Sequence, residues 1–148
     1  MGKIKLYTIG YTKKSAQKFF SLLSENNVKR ILDIRLRNWT QMCAFSKYPD
    51  IKYFSESIAN IEYEHNPDLS PSQELFDGYM KKQISWSEYE VIFNNLLSER
   101  NIKDTVDFER LNGTCLLCCE DQPDQCHRRL VAEFFQAHND QIEIVHIS

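Results

Sequence analysis

The chain has no apolar run near the roughly 20 residues that a membrane-crossing helix needs, so no spanning segment is expected in its 148 residues. Glycine and proline are scarce, four of each, which excludes collagen-like and linker-type compositions. No repeat and no low-complexity tract occurs, so solenoid architectures are excluded as well. No charge of one sign dominates. The formal net charge is −3, and any contact with nucleic acid or anionic membrane must come from a local patch. Nothing at the start resembles a signal peptide, and the five cysteines are an odd number. Reduced thiols in a cytoplasmic compartment are therefore expected, not a disulfide framework.

What is present reads as one domain over residues 1–148, with 42% hydrophobic and 26% charged residues. Lys5–Gly10 has a strand pattern that Gly10 stops. Ser15 can cap a helix running to about Asn26, with Phe19, Phe20, Leu22 and Leu23 as its inward stripe. Arg30–Ile34 is a second short strand, and strand–helix–strand favours a parallel pair. Residues 35–49 form a long connection, and such loops are more often functional than idle. A weak helix near Tyr53–Ala59 precedes a third strand at Ile61–Glu64. Helices follow at Ser72–Lys82 and Ser87–Glu99, then a loop from Asn101 to Asn112. Thr114–Cys119 is a fourth strand, Asp124–His138 a long helix and Ile142–Ile147 a fifth strand. The expected class is α/β: a mostly parallel sheet of about five strands flanked by helices.

Chemistry concentrates where the fourth strand gives way to the helix, from Cys115-Leu116-Leu117-Cys118-Cys119-Glu120 to Asp124-Gln125-Cys126-His127-Arg128-Arg129. Open α/β proteins build sites at such edges. With Asp124 as cap, Cys126 falls at the second helical position, where free N–H groups and the helix dipole favour a thiolate. Its bland alternative is a small buried hydrophobe. His127 shares a stripe with Leu130, Val131, Phe134 and Phe135, so it is either a satisfied core histidine or a group aimed back at the strand ends. Glu120 ends the strand as a general acid/base, or else caps the helix or pairs with Arg128. Arg129 and Glu133 read as a solvated pair.

Asp33 and Arg35 share a face at the end of the second strand. They form either a structural ion pair or a device in which Asp33 holds Arg35, with Arg37, toward an anion. Tyr11 and Thr12 reach the same edge or merely shape its turn. A metal set of Cys118, Cys119, Cys126, His127 and His146 matches none of the common zinc spacings, and no metal or other cofactor is expected. Arg35, Arg37, Trp39, Lys47, Tyr48, Lys52 and Tyr53 interleave basic and aromatic residues, which suits a nucleic-acid contact. Their alternative is a solvated loop with scattered core aromatics.

Several of these stretches together resemble one family. Tyr7-Thr8-Ile9-Gly10-Tyr11 is similar to its opening T-x-G-[HY], and Leu32-Asp33-Ile34-Arg35 to its D-[VI]-R. Ala44-Phe45-Ser46, Ile61-Glu62-Tyr63, Leu69-Ser70-Pro71-Ser72 and Ile84-Ser85-Trp86-Ser87-Glu88-Tyr89 continue the match. Cys115–Glu120 and Cys126–Glu133 fit its signature most closely, and His146 its terminal histidine. The chain thus resembles the bacterial and archaeal domain of unknown function 488, in its compact branch. Two places depart: Arg37-Asn38-Trp39-Thr40-Gln41 lacks the family's proline and Ser-Arg element, and Cys119 replaces a commoner small residue. The resemblance implies the fold and the site, but no reaction.

The expectation is an enzyme acting on a small anionic, nucleotide-like ligand at the strands' C-terminal edge, of a reaction class the sequence does not identify. Glu120, Cys126 and His127 would be catalytic, and Tyr11, Thr12, Asp33, Arg35, Arg37 and Arg128 would bind ligand. The rival is a nucleic-acid-associated module using the loop from Arg35 to Tyr53. A third option is a metal-stabilised interaction domain.

Overall fold

The architecture comes from a computed structural model that describes residues 3–39, 44–120 and 122–148. Strands β1 (Ile4–Gly10), β2 (Arg30–Asp33), β3 (Glu62–His65), β4 (Thr114–Cys118) and β5 (Ile142–His146) form one sheet in the order β3-β2-β4-β1-β5. Every pairing is parallel. A parallel sheet is covered on both faces, so its inner strands read as continuous apolar runs. All five residues of β4 are buried accordingly.

Successive side chains on a strand face opposite ways, and the core divides by that rule. Tyr7, Ile9, Ile31, Cys115 and Leu117 pack under Phe19 and Leu23 of α1 (Ala16–Glu25). Leu6, Leu32 and Leu116 pack on the other side, against Phe93 and Leu97 of α4 (Trp86–Glu99) and Val131 and Phe135 of α6 (His127–His138). Right-handed crossovers explain the split. The chain passes from β1 over β4 to β2, and later from β4 over β1 to β5. The two moves run in opposite directions, so α1 and α6 lie on opposite faces. The connections therefore part between β1 and β4, the switch point at which open α/β sheets hold ligands.

Local chemistry sets the helix starts. Ser15 Oγ accepts from Lys18 N at 3.1 Å, and Ser72 Oγ does the same for Leu75 N ahead of α3 (Gln73–Met80). Ser85 and Glu88 close a reciprocal capping box on α4. The loop expected from Asn101 to Asn112 instead holds α5 (Ile102–Thr105) and a 3-10 turn at Glu109–Leu111, after Asn101 turns the chain at φ 56°. The weak helix expected near Tyr53–Ala59 is α2 (Asp50–Tyr53) running into a π-turn over Phe54–Ile58.

The helix expected from Asp124 is also corrected. Cys126 is extended (φ −132°, ψ 139°), and its N–H donates to the Pro123 carbonyl at 3.3 Å. The proline-led turn uses up residues 123–126, so Cys126 is the cap of α6 and not its second residue. Among the described residues, no helix is long and apolar enough to cross a membrane.

Candidate functional site

The end of β2 carries a buried ionic cluster. Asp33 is 0% exposed and Arg35 1%. Arg35 donates through Nε to Asp33 Oδ1 at 2.8 Å and through Nη2 to Oδ2 at 2.7 Å, a bidentate fork. Its backbone N–H adds a bond to Oδ1 at 3.2 Å, and the Tyr63 hydroxyl donates to Oδ2. Asn38 Nδ2 donates to that hydroxyl at 2.9 Å. Burial, and then the Asp33 charge, push the Tyr63 hydroxyl far above its usual range, so it stays a proton donor. Among the described residues, three of the four bonds that the Asp33 carboxylate accepts thus come from Arg35 and fix it. The remaining guanidinium nitrogen, Arg35 Nη1, is buried without a hydrogen-bond partner. The guanidinium sits 5.3 Å over the Tyr11 ring, a cation–π contact.

Next to it lies a sulfur–imidazole cluster. Cys118 ends β4 and Cys126 caps α6, and their Sγ atoms are 2.6 Å apart. His127 Nε2 lies 2.7 Å from the Ile34 carbonyl. A carbonyl only accepts, so Nε2 carries a proton and Nδ1 faces the sulfurs, 3.2 Å from Cys118 Sγ. Burial alone would keep the Cys126 thiol protonated. Hydrogen bonds from Cys118 and His127, and the positive charges of His127 and Arg128, outweigh it and hold that thiol well below its usual range. Burial likewise opposes charge on His127, but bonding to Cys126 raises its proton affinity. The two residues keep each other charged as a thiolate–imidazolium pair. Cys118 is pushed the other way, by burial and by its bonds to Cys119 and Cys126, and stays a thiol. Cys119 is lowered to about 7 by its bond from Cys118, helped by the Tyr11 hydroxyl and the Arg35 charge, against burial.

These groups line a cavity of about 470 Å³. Tyr11, Arg35, Cys118, Cys119, Cys126 and His127 form its polar floor. Phe76, Tyr79, Trp86 and Tyr89, from α3 and α4, form an aromatic wall. Trp86 and Tyr89 stack with centroids 4.8 Å apart.

Of the residues singled out from sequence, Tyr11, Arg35, Arg37, Glu120, Cys126 and His127 meet at this cavity. Arg37 is exposed and donates to Gln73 Oε1 at 2.6 Å. Glu120 is exposed at the rim. Three others support the site from behind. Thr12 donates its N–H and hydroxyl to the Cys119 carbonyl at 3.2 and 2.8 Å, and so shapes the turn. Asp33 fixes Arg35. Arg128, expected at the anion, is 0% exposed and outside the cavity lining. It bonds the Glu120 carbonyl through Nη1 and Thr8 Oγ1 through Nε at 3.4 Å, pinning the β4 exit to β1.

Cys118, Cys119 and the aromatic wall were not among the expected site residues. The alternation along β4 carried the signal for Cys118, since Leu116 and Cys118 share the face that α6 covers. His146 is elsewhere, with Nδ1 2.6 Å from Thr8 Oγ1.

Cys118, Cys126 and His127 are the one group among the described residues that could offer three metal-ligand atoms, all within 4.8 Å of one another. The 2.6 Å sulfur separation argues against it, because two thiolates on a tetrahedral zinc stand about 3.8 Å apart. Cys115 and Cys118 do have CxxC spacing, which the metal reading from sequence passed over. On a strand, residues three apart face opposite ways, and Cys115 lies in the core on the α1 side.

The family model for the domain of unknown function DUF488 matches residues 15–135. The chain belongs to the DUF488 family. No curated protein matches the chain, and no solved structure does. The DUF488 match takes in Asp33, Arg35, the cysteines of β4 and the start of α6, while Tyr11 precedes it.

Proposed function

We propose that this DUF488 protein is an enzyme that binds a small anionic, nucleotide-like ligand and attacks it with the Cys126 sulfur. The observation that carries the reading is Arg35, a buried arginine among the residues lining the cavity that holds the Cys126–His127 pair, whose Nη1 has no hydrogen-bond partner. A buried donor without a partner costs about 1–3 kcal/mol, and an acceptor oxygen on a ligand would remove that cost. The stacked Trp86 and Tyr89 suit a flat ring on the same ligand.

In this mechanism Cys126, as thiolate, would attack an electrophilic centre of the ligand and expel a leaving group, which would take its proton from His127 Nδ1. His127 would hold that proton until then, its tautomer set by Ile34. Cys118, next to both, would pass protons between them. Glu120, at the rim, would take a proton from incoming water during release. Tyr11 would hold the guanidinium plane in place. The free thiols suit a reducing, cytoplasmic setting.

A second reading retains one supporting observation: Trp39 and Tyr53 are 58% and 60% exposed, as stacking platforms for nucleic-acid bases would be. Residues 40–43 of that loop lie outside the described residues. Against it, Lys52 already pairs with Glu56 at 2.7 Å.

Calorimetric titration with nucleoside monophosphates, inorganic phosphate and a short single-stranded oligonucleotide tests both. The monophosphate should bind with little dependence on salt, and Arg35→Lys, which keeps the charge but loses the third donor, should weaken it at least tenfold. Cys126→Ser should bind but form no covalent adduct. An unchanged affinity in Arg35→Lys would remove the basis of the proposal. Tight oligonucleotide binding that falls steeply with salt and vanishes in Trp39→Ala would establish the rival.

A further inference from the structure

We propose that Cys118 and Cys126 form a reversible disulfide on exposure to a hydroperoxide, which makes the cavity floor a two-thiol redox site. The inference concerns the same thiols as the proposed enzyme but does not rest on its having a ligand. Three observations carry it. The two sulfurs are 2.6 Å apart across the junction of β4 and α6, inside van der Waals contact and short of a bond. Both residues line the cavity and each keeps 3% of its surface exposed, which gives a small oxidant a path to them. The division of labour is also built in: Cys126 is paired with His127 and Arg128 and is the thiolate, while Cys118 is kept protonated.

The first step forms a bond from Cys126 sulfur to the distal peroxide oxygen and breaks the O–O bond. Sulfur is oxidised to the sulfenic acid and peroxide is reduced to hydroxide. In the second step Cys118 sulfur attacks Cys126 sulfur. The hydroxide from the first step takes the Nδ1 proton of the His127 imidazolium, the Cys118 proton then leaves to that freed Nδ1, 3.2 Å away, and the sulfenic oxygen departs with it as water. Two equivalents of a low-molecular-weight thiol reverse the reaction, giving the dithiol and one external disulfide. Oxidation would also remove the Cys126 nucleophile, so the same event would switch the proposed enzyme off.

The test treats the whole protein with hydrogen peroxide at neutral pH, counts free thiols and maps the product by mass spectrometry. No lysine or arginine separates the two cysteines, so cleavage at Glu120 or Asp124 is needed to split the loop between them. The expected result is loss of one thiol pair per chain, a cross-link between the peptides holding Cys118 and Cys126, and full recovery with dithiothreitol. Because Cys119 shares the Cys118 peptide, Cys119→Ser should retain the cross-link and Cys118→Ser should lose it. Cys118→Ser should instead accumulate a dimedone-trappable sulfenic acid at Cys126. Overturning results are a cross-link that survives in Cys118→Ser, direct passage of wild-type Cys126 to the sulfinic acid, or one zinc ion per chain in the isolated protein with both thiols inert to peroxide. Where a serine variant fails to fold, fragmentation of the wild-type cross-linked peptide between Cys118 and Cys119 decides the matter.

Discussion

Replacing Gly10 with alanine should destabilise the protein by roughly 3–6 kcal/mol, through contact alone. Gly10 ends β1 beside Cys118, and it is not among the residues with positive φ, so its backbone would accept any side chain. Space is what is missing. A Cβ at residue 10 would overlap the Glu120 carbonyl oxygen, stand 2.5 Å from its carbon and lie 2.8 Å from Arg128 Nη1. Ordinary carbon contacts are about 3.5–4 Å, so the backbone at Glu120 would have to retreat by about 1 Å or more. Overpacking of that kind costs about 1–3 kcal/mol. The retreat also breaks the bond from fully buried Arg128 to that carbonyl, a charged hydrogen bond contributing about 1.5–3 kcal/mol. Against a typical stability of about 5–15 kcal/mol, the loss should be plain in urea unfolding monitored by tryptophan fluorescence. Gly78→Ala is the control: its Cβ would meet only Ile84 at 3.8 Å on the α3 surface, and it should be neutral or stabilising by about 0.5–1 kcal/mol. A Gly10→Ala midpoint within about 1 kcal/mol of wild type, with Cys119 reactivity unchanged, would refute the claim that β1 and the β4 exit are locked together at this point.

Two further outcomes follow from the floor of the cavity. Asp33→Ala strands the Arg35 guanidinium in the interior and should cost about 3–5 kcal/mol, whereas Asp33→Ala combined with Arg35→Met should cost less than the sum of the two single losses by about 0.5–3 kcal/mol. Additive chemical-denaturation energies would mean that the pair does not act as a unit. Iodoacetamide labelling followed by peptide mapping should show Cys119 half-reactive at about pH 7, its rate falling tenfold per pH unit below that. Cys126, whose folded value is depressed, should keep its reactivity to lower pH, because the thiolate persists until pH falls through that folded value. A single inflection near pH 9 for both would contradict the charge pairing described at the site.

The fold was legible because parallel-sheet strands and capped helices announce themselves locally. Ser15 and Ser72 are each followed by an apolar stripe, and β4 is apolar after Thr114, whereas the cap of α4 is Ser85, two residues before the start expected at Ser87. The misread start of α6 is equally local. Asp124 has the chemistry of a cap, but Pro123 commits the chain to a turn that ends at Cys126. Arg128 was misplaced for a geometric reason. Adjacent helical residues lie about 100° apart, so His127 and Arg128 cannot both face the cavity. His127 turns to the sulfurs and Arg128 to Thr8 of β1. The meeting of Cys118 with Cys126 and the aromatic wall lay beyond sequence reading, because periodicity assigns a face and not a neighbour. Which strand ends lie side by side depends on the order β2-β4-β1, and that order comes from crossover directions.

Strand order also explains the character of the cavity. β2, β4 and β1 are consecutive in the sheet, and each delivers one part of the floor at its C-terminal end: Arg35 after β2, Cys118 and Cys119 at β4, Tyr11 after β1. The two ion pairs of the floor compensate themselves, Asp33 with Arg35 and Cys126 with His127. The floor is therefore close to neutral despite its polar lining, as burial demands, since an isolated charge there would give up its proton or its anion form. For the ligand proposed above, a near-neutral floor would attract weakly at long range, so selection would come at contact, from Arg35 and from ring stacking on Trp86 and Tyr89. That combination would favour a ligand small enough to enter the cavity whole over a polyanion held by its backbone.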